Sequence, residues 1–210
     1  MSYKVIAAFG DSITNGYWDE EGKGGWFGRL QQLIAPAYPY QFGFNNLAQD
    51  GDRSFDVLHA LKREAMHRTP DYIMLAAGIN DTIRWGTPDA PLEMGDTLRD
   101  ETWERIFAAA KKITPHIMVL SLLPVAESRF PNNGGEGRLL WHLNADVESY
   151  NAYLAKAAPT AGALFTDVYT PARTAGWDDY VYDGGHPNAR GHQFVADHVF
   201  KAMKAAHWLK

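Results

Sequence analysis

No cysteine occurs among the 210 residues of the chain. Disulfides, thiolate metal sites and a cysteine nucleophile all need a thiol, so all three are excluded, and a thiol-free chain fits a reducing compartment. Long apolar runs are also missing. The longest, 72–77 and 117–120, fall far short of the roughly 20 residues that cross a bilayer. The first charge comes at Lys4, and the apolar run after it enters a Gly-Asp-Ser loop with no small-residue cleavage site. No signal peptide is therefore expected, and the cytoplasm is the expected location. Basic clusters are the third absence. Twenty Lys and Arg stand against 25 Asp and Glu, for a formal charge of -5, without a stripe that could track phosphates, so nucleic acid is not an expected partner. Gly22-Lys23-Gly24-Gly25 is glycine-rich, but it neither follows a strand directly nor matches a dinucleotide fingerprint, and no cofactor is expected.

What is present suffices for a substantial core. At 46% hydrophobic residues, the chain reads as a single domain over 1–210. Strand-like runs recur at 4–9, 42–48, 72–77, 117–122 and 163–168, each followed by a segment that can be helical. Trp103, Ile106, Phe107, Ala110 and Ile113 repeat at helical spacing, as do Leu139, Leu143, Val147, Tyr150 and Leu154. Phe55, Leu58 and Leu61 predict another helix, residues 26–34 a less regular one, and Val195, His198, Val199 and Ala202 the last. Five strand-then-helix units predict an α/β fold, a mainly parallel sheet with helices on both faces. Two connections, 82–100 and 124–137, are too long to be simple links and are expected to be functional or mobile.

The first unit carries the chemistry. Gly10 ends its strand, and the loop beyond delivers Asp11 and Ser12 to the carboxyl edge of the sheet, where ligands bind in such folds. A serine hydroxyl needs a base for its proton and donors for the oxyanion that its attack creates. Asp183-Gly184-Gly185-His186, before the last helix, offers both base and orienter: three residues in a glycine-rich turn let the carboxylate hold one imidazole nitrogen while the other faces the serine. The plain reading of that segment is a polar turn capping a helix. Gly51 and Asn80, in loops after the second and third strands, offer a backbone N–H and an amide donor, though either can equally serve a turn or a cap.

Gly10-Asp11-Ser12, Gly51, Gly78-Ile79-Asn80-Asp81 and Asp183-Gly184-Gly185-His186, in this order and spread over nearly the whole chain, resemble the four blocks of the SGNH (GDSL) hydrolase family of esterases and lipases. The resemblance implies Ser12 as nucleophile, His186 as base, Asp183 as orienter, and Ser12, Gly51 and Asn80 as oxyanion donors. It also implies a three-layer α/β/α sandwich of flavodoxin type whose five parallel strands run in the order 2-1-3-4-5. Two departures are Ile13 in place of the family's leucine and Ala48 where many members carry a further glycine.

Together these features predict a serine esterase acting on a small-molecule or carbohydrate ester: short-chain esters, aryl esters or O-acetyl groups. Thioesterase, lysophospholipase and acyltransferase activities on the same residues stay open. Asp11, Trp18, Trp85, Trp177 and Tyr182 are expected to contact substrate. A metal-dependent hydrolase is disfavoured, because His186, His192 and His198 recur at six residues and diverge around a helix; no metal is expected. Histidines 59, 67, 116, 142 and 207 read as surface or boundary residues. An α/β-hydrolase elbow would need a glycine where Thr14 stands. A carbohydrate-binding module using Trp18, Trp85, Phe130, Trp141, Trp177, Tyr180 and Tyr182 is the non-catalytic alternative, and the long loops are possible homo-oligomer contacts.

Overall fold

A computed structural model describes residues 3–135 and 137–209. Five parallel strands form its main sheet: β1 (Lys4–Gly10), β2 (Phe42–Asn46), β3 (Tyr72–Ala76), β4 (Ile117–Leu120) and β5 (Leu164–Thr166). Numbered within the sheet, their spatial order is 2-1-3-4-5, as the resemblance implies. β1 lies between β2 and β3, with Ala8 opposite both Asn46 and Met74. Its alternate side chains enter opposite layers, Ala7 and Phe9 one and Ile6 and Ala8 the other, and all are fully buried.

The helices divide between those layers. Against Phe9 pack α3 (Ser54–Arg68), α4 (Asp96–Lys111) and α5 (Asn144–Thr160), through Leu58, Ile106 and Leu154. Against Ile6 pack α2 (Gly25–Ala37), α6 (Tyr169–Ala175) and α7 (Ala189–Ala205), through Leu30, Ala172 and Val199. Among the described residues, no helix is long and apolar enough to cross a membrane.

Several boundaries differ from the sequence reading. Residues 12–15, expected as loop, form a single helical turn, α1 (Ser12–Asn15), because the Asp11 side chain accepts the Ile13 N–H and caps it. The α4 repeat stops at Lys111 rather than Ile113, three residues ahead of Thr114, which precedes Pro115 and is disfavoured in helical geometry. Leu139 shares the helical period of α5 but belongs to a strand, and the helix begins only at Asn144. The two long connections are ordered. Arg84–Trp85, Leu139–Trp141 and Asn132–Asn133 pair as a small antiparallel sheet, with Leu139–Trp141 in the middle.

Behind β3 lies a buried polar network. Tyr150 Oη donates to Asp81 Oδ2 at 2.6 Å and accepts from Trp103 Nε1 at 2.7 Å, while the Ser54 N–H reaches Asp81 Oδ1 at 3.0 Å. Tyr150 also explains Gly78: at φ 124°, a side chain there would meet the tyrosine ring at 2.5 Å. Removing the hydroxyl strands one donor and one acceptor in the interior. Tyr150→Phe should therefore cost about 1–3 kcal/mol in urea denaturation, although the ring volume is unchanged.

Candidate active site

Each candidate side chain leaves the carboxyl edge of a strand or the loop that returns to it. Ser12 opens α1 directly after β1, and its Oγ lies 2.8 Å from His186 Nε2. His186 Nδ1 lies 2.7 Å from Asp183 Oδ2. The second carboxylate oxygen, Oδ1, accepts the Gly185 N–H at 3.0 Å and the His186 N–H at 2.8 Å. Burial alone pushes the Asp183 carboxyl up, but the bonds from the His186 side chain and from these N–H groups outweigh it and hold the pKa at about 2, below the ordinary 3.8. An ionised Asp183 requires the hydrogen on Nδ1, which leaves Nε2 free to accept from the Ser12 hydroxyl.

Two loops approach from the other side. Asn80 sits in a 3-10 turn, Ile79–Thr82, after β3; one hydrogen of its amide goes to the Asp52 carbonyl at 2.9 Å, and its side chain lines the same cleft as His186. Gly51 precedes Asp52 at φ 82°, a left-handed conformation that favours glycine. Its loop is tied to the serine segment by Asn15 Nδ2 on Asp50 Oδ1 at 2.8 Å and by the Gln49 N–H on the Gly10 carbonyl at 3.2 Å. The Gly51 N–H makes no hydrogen bond among the described residues.

The expected substrate contacts fare unevenly. Trp18 stands at the cleft and stacks on Tyr182, with ring centroids 4.2 Å apart and planes 15° apart. Its indole N–H donates to Asp183 Oδ2 at 3.0 Å, so Trp18 also braces the carboxylate. Asp11 turns away from the cleft: the Ile13 N–H draws it inward, where burial pushes its carboxyl from 3.8 up to about 7. Trp177 is buried against Tyr180, its ring taken by the core between α6 and α7. Trp85 lies in the small sheet, bonded to Glu93 and covered by the Arg138 guanidinium at 4.0 Å, outside the cleft lining.

Other residues escaped the sequence reading. The Tyr17 ring lies 5.0 Å from that of His186. Asn132 Nδ2 donates to the Asp183 carbonyl at 3.1 Å, and the Asn-Asn-Gly-Gly run was the only signal for it. His142, expected at the surface or a boundary, is buried and lines the cleft. Nothing in its sequence neighbourhood marks it, because the small sheet that carries it inward is built from distant segments. His192 and His198 do separate from His186, bonding the Tyr17 and Phe194 carbonyls.

A hydroxyl, an imidazole and a carboxylate joined at the carboxyl edge of a parallel sheet are the working parts of an α/β/α hydrolase. The model of the GDSL-like lipase/acylhydrolase family matches residues 8–194; the chain belongs to this family and is a carboxylic ester hydrolase. It is 26% identical over 214 residues to the uncharacterized protein YpmR of Bacillus subtilis (strain 168), covering 95% of this chain and 81% of that one. A lipase/acylhydrolase from Enterococcus faecalis has the same fold, with a TM-score of 0.77 at 19% identity over 97% of this chain and 96% of its own. So does a catalytic mutant of Axe2, an acetylxylan esterase from Geobacillus stearothermophilus, with a TM-score of 0.76 at 16% identity over 95% and 94% of the two chains.

The depressed pKa of Asp183 has a sign for stability. A carboxyl held below its ordinary value stabilises the fold above pH 3.8, and that contribution is lost as pH falls toward 2. Thermal melts between pH 7 and 2 should show a shallower acid-side loss in Asp183→Asn than in the unaltered protein.

Proposed function

We propose that the chain hydrolyses short acyl esters, acetates above all, of uncharged hydroxylated alcohols such as carbohydrates, through an acyl-enzyme on Ser12. The observation that carries this reading is the unbroken line from Ser12 Oγ through His186 to Asp183, opening on the same cleft as Asn80. His186 Nε2 takes the Ser12 proton as Oγ attacks the ester carbonyl. The Ser12 and Gly51 N–H groups and the free hydrogen of the Asn80 amide receive the oxyanion, His186 returns the proton to the departing alcohol, and water releases the acid by the same route.

The cleft supports the substrate class. Its volume is about 380 Å³, and Asp183 is the only formally charged side chain among its described lining residues apart from the histidines. Without a lysine or arginine there, the phosphate of a lysophospholipid or of a nucleotide-bearing thioester meets no countercharge. The stacked Trp18 and Tyr182 rings at the rim offer an apolar face of the kind on which sugar rings lie. The relative Axe2, an acetylxylan esterase, agrees with this choice.

Ser12→Ala and His186→Ala should each lower kcat on aryl acetates by about 10⁶-fold if the residues act as a unit. Asn80→Ala should lower it by about 10²–10³-fold. Active-site labelling with a fluorophosphonate, followed by peptide mapping, checks the nucleophile directly: the modified residue should be Ser12, and a folded protein that stays unlabelled would refute the assignment in favour of a binding module.

A further inference from the structure

Among the described lining residues of the cleft, His142 is the one buried polar group that the proposed reaction leaves unused. It is only 6% exposed, on the chain between the small sheet and α5. Its tautomer follows from its neighbours. The Thr82 hydroxyl donates to the Ile79 carbonyl at 2.7 Å, so its hydrogen is spent and its oxygen must accept from His142 Nδ1, 3.0 Å away. The hydrogen therefore sits on Nδ1, and Nε2 carries a lone pair. Nε2 has no hydrogen-bond partner among the described residues, yet it is not among the fully enclosed orphaned atoms. Since the residue lines the cleft, that lone pair opens into it.

The ring stays in this form at neutral pH. Burial, and after it the neighbouring His186, lowers the pKa of His142 from 6.5 to about 4. The edge-to-face contact with Phe130, centroids 5.5 Å apart, holds the ring in place. A neutral, fixed, largely dehydrated acceptor selects for a donor, because an acceptor buried against an apolar ligand stays unpaired.

We infer that His142 Nε2 accepts a hydrogen bond from a hydroxyl on the alcohol part of the substrate, and that it is the residue selecting hydroxylated alcohols over apolar ones. An acetyl group has no donor of its own, so the donor must come from the alcohol. This inference rests on the serine-esterase reading and names the substrate feature that the cleft recognises.

The test compares three acetates: a xyloside monoacetate with a free neighbouring hydroxyl, its deoxy analogue, and 4-nitrophenyl acetate. The unaltered protein should favour the free hydroxyl over the deoxy analogue by about ten- to a hundredfold in kcat/KM, the range set by one unpaired buried acceptor. His142→Phe keeps a ring but has no acceptor. It should shrink that ratio to within about threefold; because the readout is a ratio, any general change in turnover, followed on 4-nitrophenyl acetate, cancels out of it. His142→Gln, whose amide oxygen can stand near the Nε2 position, should restore part of the preference. An unaltered protein indifferent to the hydroxyl would overturn the inference without any variant, and so would a preference that survives His142→Phe. Absence of both labelling and turnover on all three esters would instead sink the serine reading itself, a different result from hydrolysis without preference.

Discussion

One carboxylate organises the working edge of this molecule. Asp183 accepts hydrogen bonds from the Gly185 and His186 backbone, from the His186 ring and from the Trp18 indole. A partly buried charge is tolerable only when its lone pairs are met, and here each donor that meets them also fixes a part of the site. The backbone donors close the turn, the ring donor sets the imidazole tautomer, and the indole ties in a segment from the far end of the chain. Removing the charge would therefore loosen geometry as well as electrostatics.

The segment that contributes Trp18 straps the acid and base loop to the serine loop. The Glu20 carboxylate accepts the Ala189 N–H at the start of α7, at 2.8 Å, and His192 Nε2 reaches the Tyr17 carbonyl at 3.2 Å. The buried Arg29 in turn pairs with Asp19 and anchors the strap to α2. Residues 17–20 and 183–192 are distant in sequence but bonded at several points in space. Their relative position, and with it the distance from Ser12 to His186, is thus over-determined by contacts outside the reacting groups.

The sequence was legible where a local rule and the tertiary structure agree. The β1 run is apolar on both faces because helices cover both faces, and Asp183 to His186 is a turn whose three-residue span itself sets the contact. Legibility failed where a distant partner overrode a local pattern. Leu139 keeps the helical period of α5 yet pairs across the small sheet, since Arg84–Trp85 and Asn132–Asn133 present strand edges to it. Asp11 reads as a polar residue beside a nucleophile, but the unsatisfied Ile13 N–H claims it as a cap. Trp177 is aromatic and in a loop, the signature of a binding surface, and the gap between α6 and α7 takes it instead. His142 depends on a chain of hydrogen bonds through Thr82 that no spacing rule encodes.

The two sides of the site are supported differently, and the difference suits the proposed chemistry. Asn80 adjoins Asp81, whose carboxylate is locked to Tyr150 and Ser54 in a dry network continuous with α3, α4 and α5, and its own amide is held by the Asp52 carbonyl. His186 and Asp183 are only half-buried and rest on loops. Donors that stabilise a developing charge work best when they are already in place, because any reorganisation is subtracted from the stabilisation. A base that takes a proton from serine and then hands it to a leaving alcohol must serve two positions of its partner atom. In the proposed reaction the core steadies the Asn80 donor from one side, while the strap fixes the His186 loop against the serine segment from the other, so that only the imidazole ring need follow the proton.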